Sequence, residues 1–145
     1  MSDNFEPEIV ALYCRRALAA GERLPEGTVR GEGFSARFVM LPCSSKVEVN
    51  QVVALLEAGA DGVQVIGCPP GGCRFLTGST KADKKIQYVQ RMLSELEAGY
   101  DRVGMIRAVG LSVKEIMDAA HKRAQAVKEL GPNPMKQEPP KARFA

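Results

Sequence analysis

Residues 62–68 read GVQVIGC, an apolar run broken only by Gln64, and the cysteine that ends it opens the turn CPPGGCRF at 68–75. A short, nearly continuous apolar run bounded by glycines fits a strand buried on both faces, which is how parallel strands sit. Three other stretches share this character: IVALYC (9–14), ARFVMLPC (36–43) and RVGMIRAVG (102–110). Helical periodicity fills the gaps. Val49, Val52, Val53 and Leu56 form one apolar stripe stopped by Gly59, and Ile86, Val89, Leu93 and Leu96 form a second stopped by Gly99. A third helix starts at Ser112, with Glu115 in capping-box spacing, carries Val113, Ile116, Met117, Ala120, Ala124, Val127 and Leu130 inward, and ends at Gly131-Pro132.

Strands alternating with helices of this length predict an α/β fold: a small flavodoxin-like or Rossmann-like domain with a four-stranded parallel sheet flanked by helices. The domain is expected to span residues 1–131. Residues 21–35, GERLPEGTVRGEGFS, hold four glycines and one proline without periodicity and are expected to form an exposed loop. From Pro132 the chain reads PNPMKQEPPKARFA, whose four prolines cannot continue a helix; residues 132–145 are expected to be a Pro-rich tail, disordered or laid across a partner.

The 145 residues, 45% of them hydrophobic, suffice for one core. A net charge of +3 spread along the chain, 6% aromatics and no tryptophan argue against nucleic-acid binding, which needs a concentrated basic face and stacking rings. No apolar run approaches the roughly 20 residues of a membrane-spanning helix, and the opening MSDNFEPE is acidic, so a cytoplasmic location is expected. Thiols stay reduced there, and four cysteines then read as ligands or redox groups before disulfides.

Cys14, Cys43 and Cys68 each close an expected strand, and parallel strands all end on one edge, where ligands of open α/β sheets sit. Cys73, five residues past Cys68, can fold back to join them, while Gly71 and Gly72 bring backbone N–H groups close. Several readings of four such thiols remain open. Structural zinc draws on paired short C-x2-4-C knuckles, of which there is one candidate pair here. The C-x2-C-x2-C run of a ferredoxin [4Fe–4S] cluster is absent, and a Rieske centre needs two histidines where the chain has His121 alone. One C-x4-C pair with two remote cysteines is compatible with a [2Fe–2S] cluster. Inert core cysteines are the plain alternative.

The stretch LPCSSKVEVNQVVALLEAGADGVQVIGCPPGGCRFLTGSTKADKKIQYVQRML resembles the iron–sulfur delta subunit of methyl-viologen-reducing (F420-non-reducing) hydrogenase. The cysteine motif, the GADGV turn and the GPNP ending follow in that family's order, and the likeness runs from about residue 9 to residue 135. The resemblance implies a [2Fe–2S] electron carrier, not itself catalytic, within a hetero-oligomer. It would stand between a hydrogenase or other electron-donor subunit and the flavin-containing subunit of a heterodisulfide-reductase-like complex. It also carries the cluster ligands over onto Cys14, Cys43, Cys68 and Cys73. The family's second cysteine shortly after the first is replaced here by Ala17, and its usual His, Asp and His around the C-x4-C pair by Pro69, Gly72 and Arg74.

Two other functions fit the residues: an adaptor subunit without a cluster, or a thiol–disulfide protein using Cys68 and Cys73, although four intervening residues are wider than the usual C-x-x-C. Asp61 reads as a turn residue, His121 as solvated, and Lys81, Lys84 and Lys85 as a helix face that either meets water or docks on an acidic partner. With no G-x-G-x-x-G, no nucleotide or flavin is assigned to this chain and flavin is left to a partner; with no paired acids or nucleophile and base, the chemistry expected is electron transfer alone.

Overall fold

A computed structural model of the chain describes residues 5–42, 47–69 and 78–135, with side chains of the third segment from residue 81 onward. Five strands form one sheet: β1 (Glu8–Cys14), β2 (Thr28–Arg30), β3 (Ser35–Leu41), β4 (Gly62–Gly67) and β5 (Val103–Arg107). Three helices accompany them: α1 (Val49–Glu57), α2 (Gly78–Glu95) and α3 (Val113–Leu130). The strand order is β2-β3-β1-β4-β5, with β3, β1, β4 and β5 parallel and β2 antiparallel on the outer edge. The four expected strands are therefore all present and parallel. Counted over those four, the order 2-1-3-4 is that of a flavodoxin-like sheet.

The fifth strand corrects the reading of residues 21–35 as a loop alone. Thr28, Val29 and Arg30 pair with Arg37, Ala36 and Ser35 through a tight reversal in which Gly31 N–H donates to Phe34 O at 2.8 Å. A Cβ on Gly31 would lie 2.3 Å from the Phe34 ring, so only glycine lets that ring fold back over the turn. Three residues are too few for a period-two pattern to register, which is why the sequence reads as loop.

Chain direction decides which face each helix covers. The steps β3 to β4 and β4 to β5 run the same way across the sheet, and right-handed crossovers put α1 and α2 on one face. There Val52, Leu56, Ile86, Val89 and Leu93 pack on Val10, Leu12, Val63, Val65 and Val103. The step from β1 to β3 runs the other way, so its connection falls on the opposite face, where Leu18, Leu24 and Phe34 join the residues under α3. On that face Ile116, Ala120, Ala124 and Val127 of α3 cover Ile9, Tyr13 and Ile66. The Ser112–Glu115 capping box is formed, both reciprocal hydrogen bonds being made.

At the amino ends of the strands a polar knot closes the fold. Asp61, fully buried, accepts from Glu8 N–H at 2.9 Å and from Asn133 N–H at 3.0 Å. Arg102, also buried, donates to Asp61 O and Ala98 O, and to Gly131 O and Pro132 O at the end of α3. Asn133 Nδ2 donates to Leu56 O and Ala60 O, and its Oδ1 takes Met135 N–H. Burial lowers the pKa of Arg102 and the nearby Asp61 charge opposes that shift. Although residues 132–145 read from the sequence as a tail, Asn133 is 3% exposed and belongs to this knot. Residues 136–145 lie outside the described residues.

Candidate metal centre

In this topology the chain leaves β1 in one direction to reach β3 and leaves β4 in the other to reach β5, so β1 and β4 flank the switch point. Cys14 is the last residue of β1 and Cys68 follows β4 directly. Their sulfurs lie 3.4 Å apart, well beyond the ~2.05 Å of a disulfide. Both side chains are buried, at 2% and 1% exposure, among Tyr13, Ala17, Ile66, Ile116 and Ala119. Burial also pushes the Tyr13 phenol above its ordinary pKa, so it stays neutral beside them.

Two of the four sequence-predicted ligands are thus brought together. Cys43, two residues beyond the end of β3, and Cys73 lie outside the described residues, as do Gly71, Gly72 and Arg74. Among the described residues no three His, Cys, Asp or Glu side chains gather as metal ligands. The Cys14–Cys68 spacing nevertheless fits a shared metal ion: tetrahedral geometry with metal–sulfur bonds of about 2.3 Å, the zinc value, puts two sulfurs about 3.8 Å apart. A small rotation of either side chain covers the difference from 3.4 Å.

The backbone behind Cys14 is braced. After β1 the chain makes a 3-10 turn, Arg15–Ala17, and then lies parallel to the segment that follows β5. Gly110 N–H donates to Arg16 O, Leu111 N–H to Ala17 O, and Ala19 N–H to Leu111 O at 2.8 Å. Because β4 sits between β1 and β5, this brace passes across the end of β4, where Cys68 lies.

The electrostatics of this edge suit negatively charged sulfur. Each helix follows a parallel strand, so α1, α2 and α3 all begin at the carboxyl edge; the positive end of α3 is met by Glu115 and by Glu22, whose carboxylate accepts from Val113 N–H, while α1 has no side-chain cap bond. Arg15, Arg16, Lys81 and Lys84 are exposed at the same edge and have no carboxylate partner among the described residues. Lys85, grouped with those lysines in sequence, is instead used structurally: its Nζ donates to Val47 O at 2.8 Å and meets Glu48 at 3.4 Å.

The remaining candidates take structural places. Asp61 sits in the knot at the opposite edge. His121 stacks face to face on Phe34 with centroids 5.2 Å apart. A cavity of about 460 Å³ lies beside α3, with Gln64, Ile106, Ala108 and Arg123 in its lining; Leu111 and Ala119 in the same wall also pack in the apolar cluster that holds the cysteines. Arg123 is tied there to Gln64 Oε1 and Asp101 O, and its pKa is lowered first by burial. Sequence reasoning missed Arg102 and Asn133, since neither type nor spacing marks a buried arginine at a strand start or an asparagine after a helix.

Comparison with known proteins places the chain among hydrogenase-associated subunits. The iron-sulfur subunit of the vhu F420-non-reducing hydrogenase of Methanococcus maripaludis is 33% identical over 132 residues, covering 90% of this chain and 98% of that protein. The corresponding protein of Methanocaldococcus jannaschii is 31% identical over the same shares of both chains. One subunit of a ferredoxin/F420H2-dependent CoB-CoM heterodisulfide reductase, from Methanosarcina acetivorans, matches 87% of this chain at 25% identity, but over only 16% of its own length. The module therefore occurs both as a separate polypeptide and within a larger one. With residues 9–131 matching the family described as methyl-viologen-reducing hydrogenase, delta subunit, the chain belongs to that family.

Proposed function

We propose that this chain is an electron-transfer subunit that holds a [2Fe–2S] cluster through Cys14, Cys43, Cys68 and Cys73. In this reading it passes electrons between a hydrogenase or similar donor and the flavin subunit of a heterodisulfide-reductase-like complex. The observation that carries the reading is the pair of buried thiols, 3.4 Å apart, at the switch point of the sheet. The names of the relatives, one an iron-sulfur subunit of a hydrogenase and the other part of a heterodisulfide reductase, supply the two sides of the transfer.

A bound cluster supplies one-electron chemistry with four thiolates as ligands. The chain's part is to place and surround those thiolates. Strands β1 and β4 fix Cys14 and Cys68 on neighbouring rails, and the apolar residues around them exclude water. The amino termini of α1 and α2 and the exposed Arg15, Arg16, Lys81 and Lys84 at this edge would offset the negative charge. The site lies at one end of the sheet, where a second protein can approach to within tunnelling distance.

Anaerobic reconstitution of the full chain, followed by iron and acid-labile sulfide analysis and electron paramagnetic resonance of the reduced protein, tests this. Equal iron and sulfide, two of each per chain, with a rhombic signal, are expected. Changing any of the four cysteines to serine should remove most of the iron. Iron content unaffected by Cys14→Ser and Cys68→Ser, or iron without sulfide, overturns the assignment.

A further inference from the structure

The closeness of Cys14 and Cys68 has a second chemical meaning. The two sulfurs are 3.4 Å apart in a water-poor cluster, on adjacent parallel strands whose partners are in register up to Tyr13 and Ile66. Closing that gap to disulfide length needs about 1.4 Å of combined movement, within reach of side-chain rotation. A thiol held this near another reacts as if its neighbour were present at very high concentration. We infer that Cys14 and Cys68 form an oxidative modification site: a disulfide that closes when the metal centre is lost, and that bars metal from returning until it is reduced.

The oxidant is a small peroxide, for which burial is the least obstacle. One sulfur attacks a peroxide oxygen, the S–O bond forms, the O–O bond breaks, and water leaves. The second sulfur attacks the resulting sulfenic sulfur, the S–S bond forms, the S–O bond breaks, and a second water leaves. The two thiols lose two electrons and two protons in total, and hydrogen peroxide becomes two waters. The brace through Ala17, Ala19 and Leu111 holds the backbone after Cys14 beside the end of β4, so the two cysteines stay within reach of the bond.

Disulfide formation stands on this geometry alone, whereas its competition with metal rests on the function proposed above. A disulfide sulfur has no negative charge to offer a metal, and ligation needs the thiolate. One pair of sulfurs cannot serve both purposes at once.

The test uses the full-length chain, freed of metal under reducing conditions and then exposed to hydrogen peroxide at one equivalent. Trypsin leaves Cys14 in the fragment 1–15, while Cys68 and Cys73 share the fragment 47–74. A non-reduced digest should show 1–15 linked to 47–74, and the link should persist in Cys73→Ser and vanish in Cys68→Ser. Oxidised protein should then lose iron uptake on reconstitution and regain it after dithiothreitol. A link that runs to Cys73 or Cys43 instead, or no link to Cys14 at all, overturns the inference. The two ideas fail separately: iron uptake without a Cys14–Cys68 link leaves the cluster reading intact and sinks the switch. A link in protein that never takes up iron when reduced keeps the disulfide and sinks the cluster.

Discussion

The two ends of the sheet solve opposite problems with the same strands. At the amino end, Asp61, Arg102 and Asn133 bury full or partial charges and satisfy them within the chain, through backbone groups from β1, α1, the residue before β4 and the end of α3. At the carboxyl end, Cys14 and Cys68 meet in an apolar cluster, with exposed cationic side chains and the starts of the helices at the same edge. The first arrangement is closed and serves stability. The second leaves charge capacity at the surface and suits a ligand. An α/β sheet has this asymmetry by construction, because every parallel strand delivers its last residue to one side and every following helix starts there.

Removing the centre of the amino-terminal knot should have the largest effect. Arg102→Ala leaves several buried carbonyls without a donor and the Asp61 charge without its nearest cation, and should cost about 3–5 kcal/mol in denaturant-induced unfolding. Iron bound per folded molecule should not change; a parallel loss of iron would show that the two ends are coupled. Asn133→Ala should be milder, about 1–3 kcal/mol, since it orphans Leu56 O and Ala60 O without stranding a charge. Deleting residues 136–145 should leave stability within about 0.5 kcal/mol of the full chain, whereas deleting residues 132–145 should reproduce the Asn133 loss. Among the point substitutions the smallest stability cost falls at the opposite end: Cys14→Ala in metal-free protein should cost on the order of 1 kcal/mol, because it removes one small apolar group. The same change should abolish iron uptake. A stability loss for Cys14→Ala as large as that for Arg102→Ala would erase the contrast between the ends.

The carboxyl end was the legible one. Apolar runs that stop at cysteines have a direct meaning once the strands are taken as parallel, and β1 and β4 place Cys14 and Cys68 as that logic requires. Two helix ends were legible for the same local reason: Gly59 and Gly131 adopt the positive φ that follows a helix, and Ser112 caps as its spacing to Glu115 suggests, whereas α2 stops at Glu95 with Glu97 in the left-handed region, ahead of Gly99. The amino end was not. Arg102, Asp61 and Asn133 are far apart in sequence, and each taken alone resembles a surface or turn residue. Their meaning arises only when the end of α3 returns to the start of β4. The edge strand β2 was hidden too, because its three residues depend on Phe34 folding over Gly31 and not on any pattern of their own.

The brace joining the segments after β1 and β5 has a consequence for the speed of electron exchange in the proposed role. When a centre gains or loses an electron, its surroundings relax to the new charge, and the energy of that relaxation sets much of the barrier. Backbone hydrogen bonds from Gly110, Leu111 and Ala19 leave the peptide behind Cys14 little freedom to relax, and the apolar cluster around the sulfurs leaves little water to reorient. In the proposed role a stiff, dry cradle of this kind would keep reorganisation energy low, because neither the backbone behind Cys14 nor the side chains around the sulfurs would need to move when charge changes there.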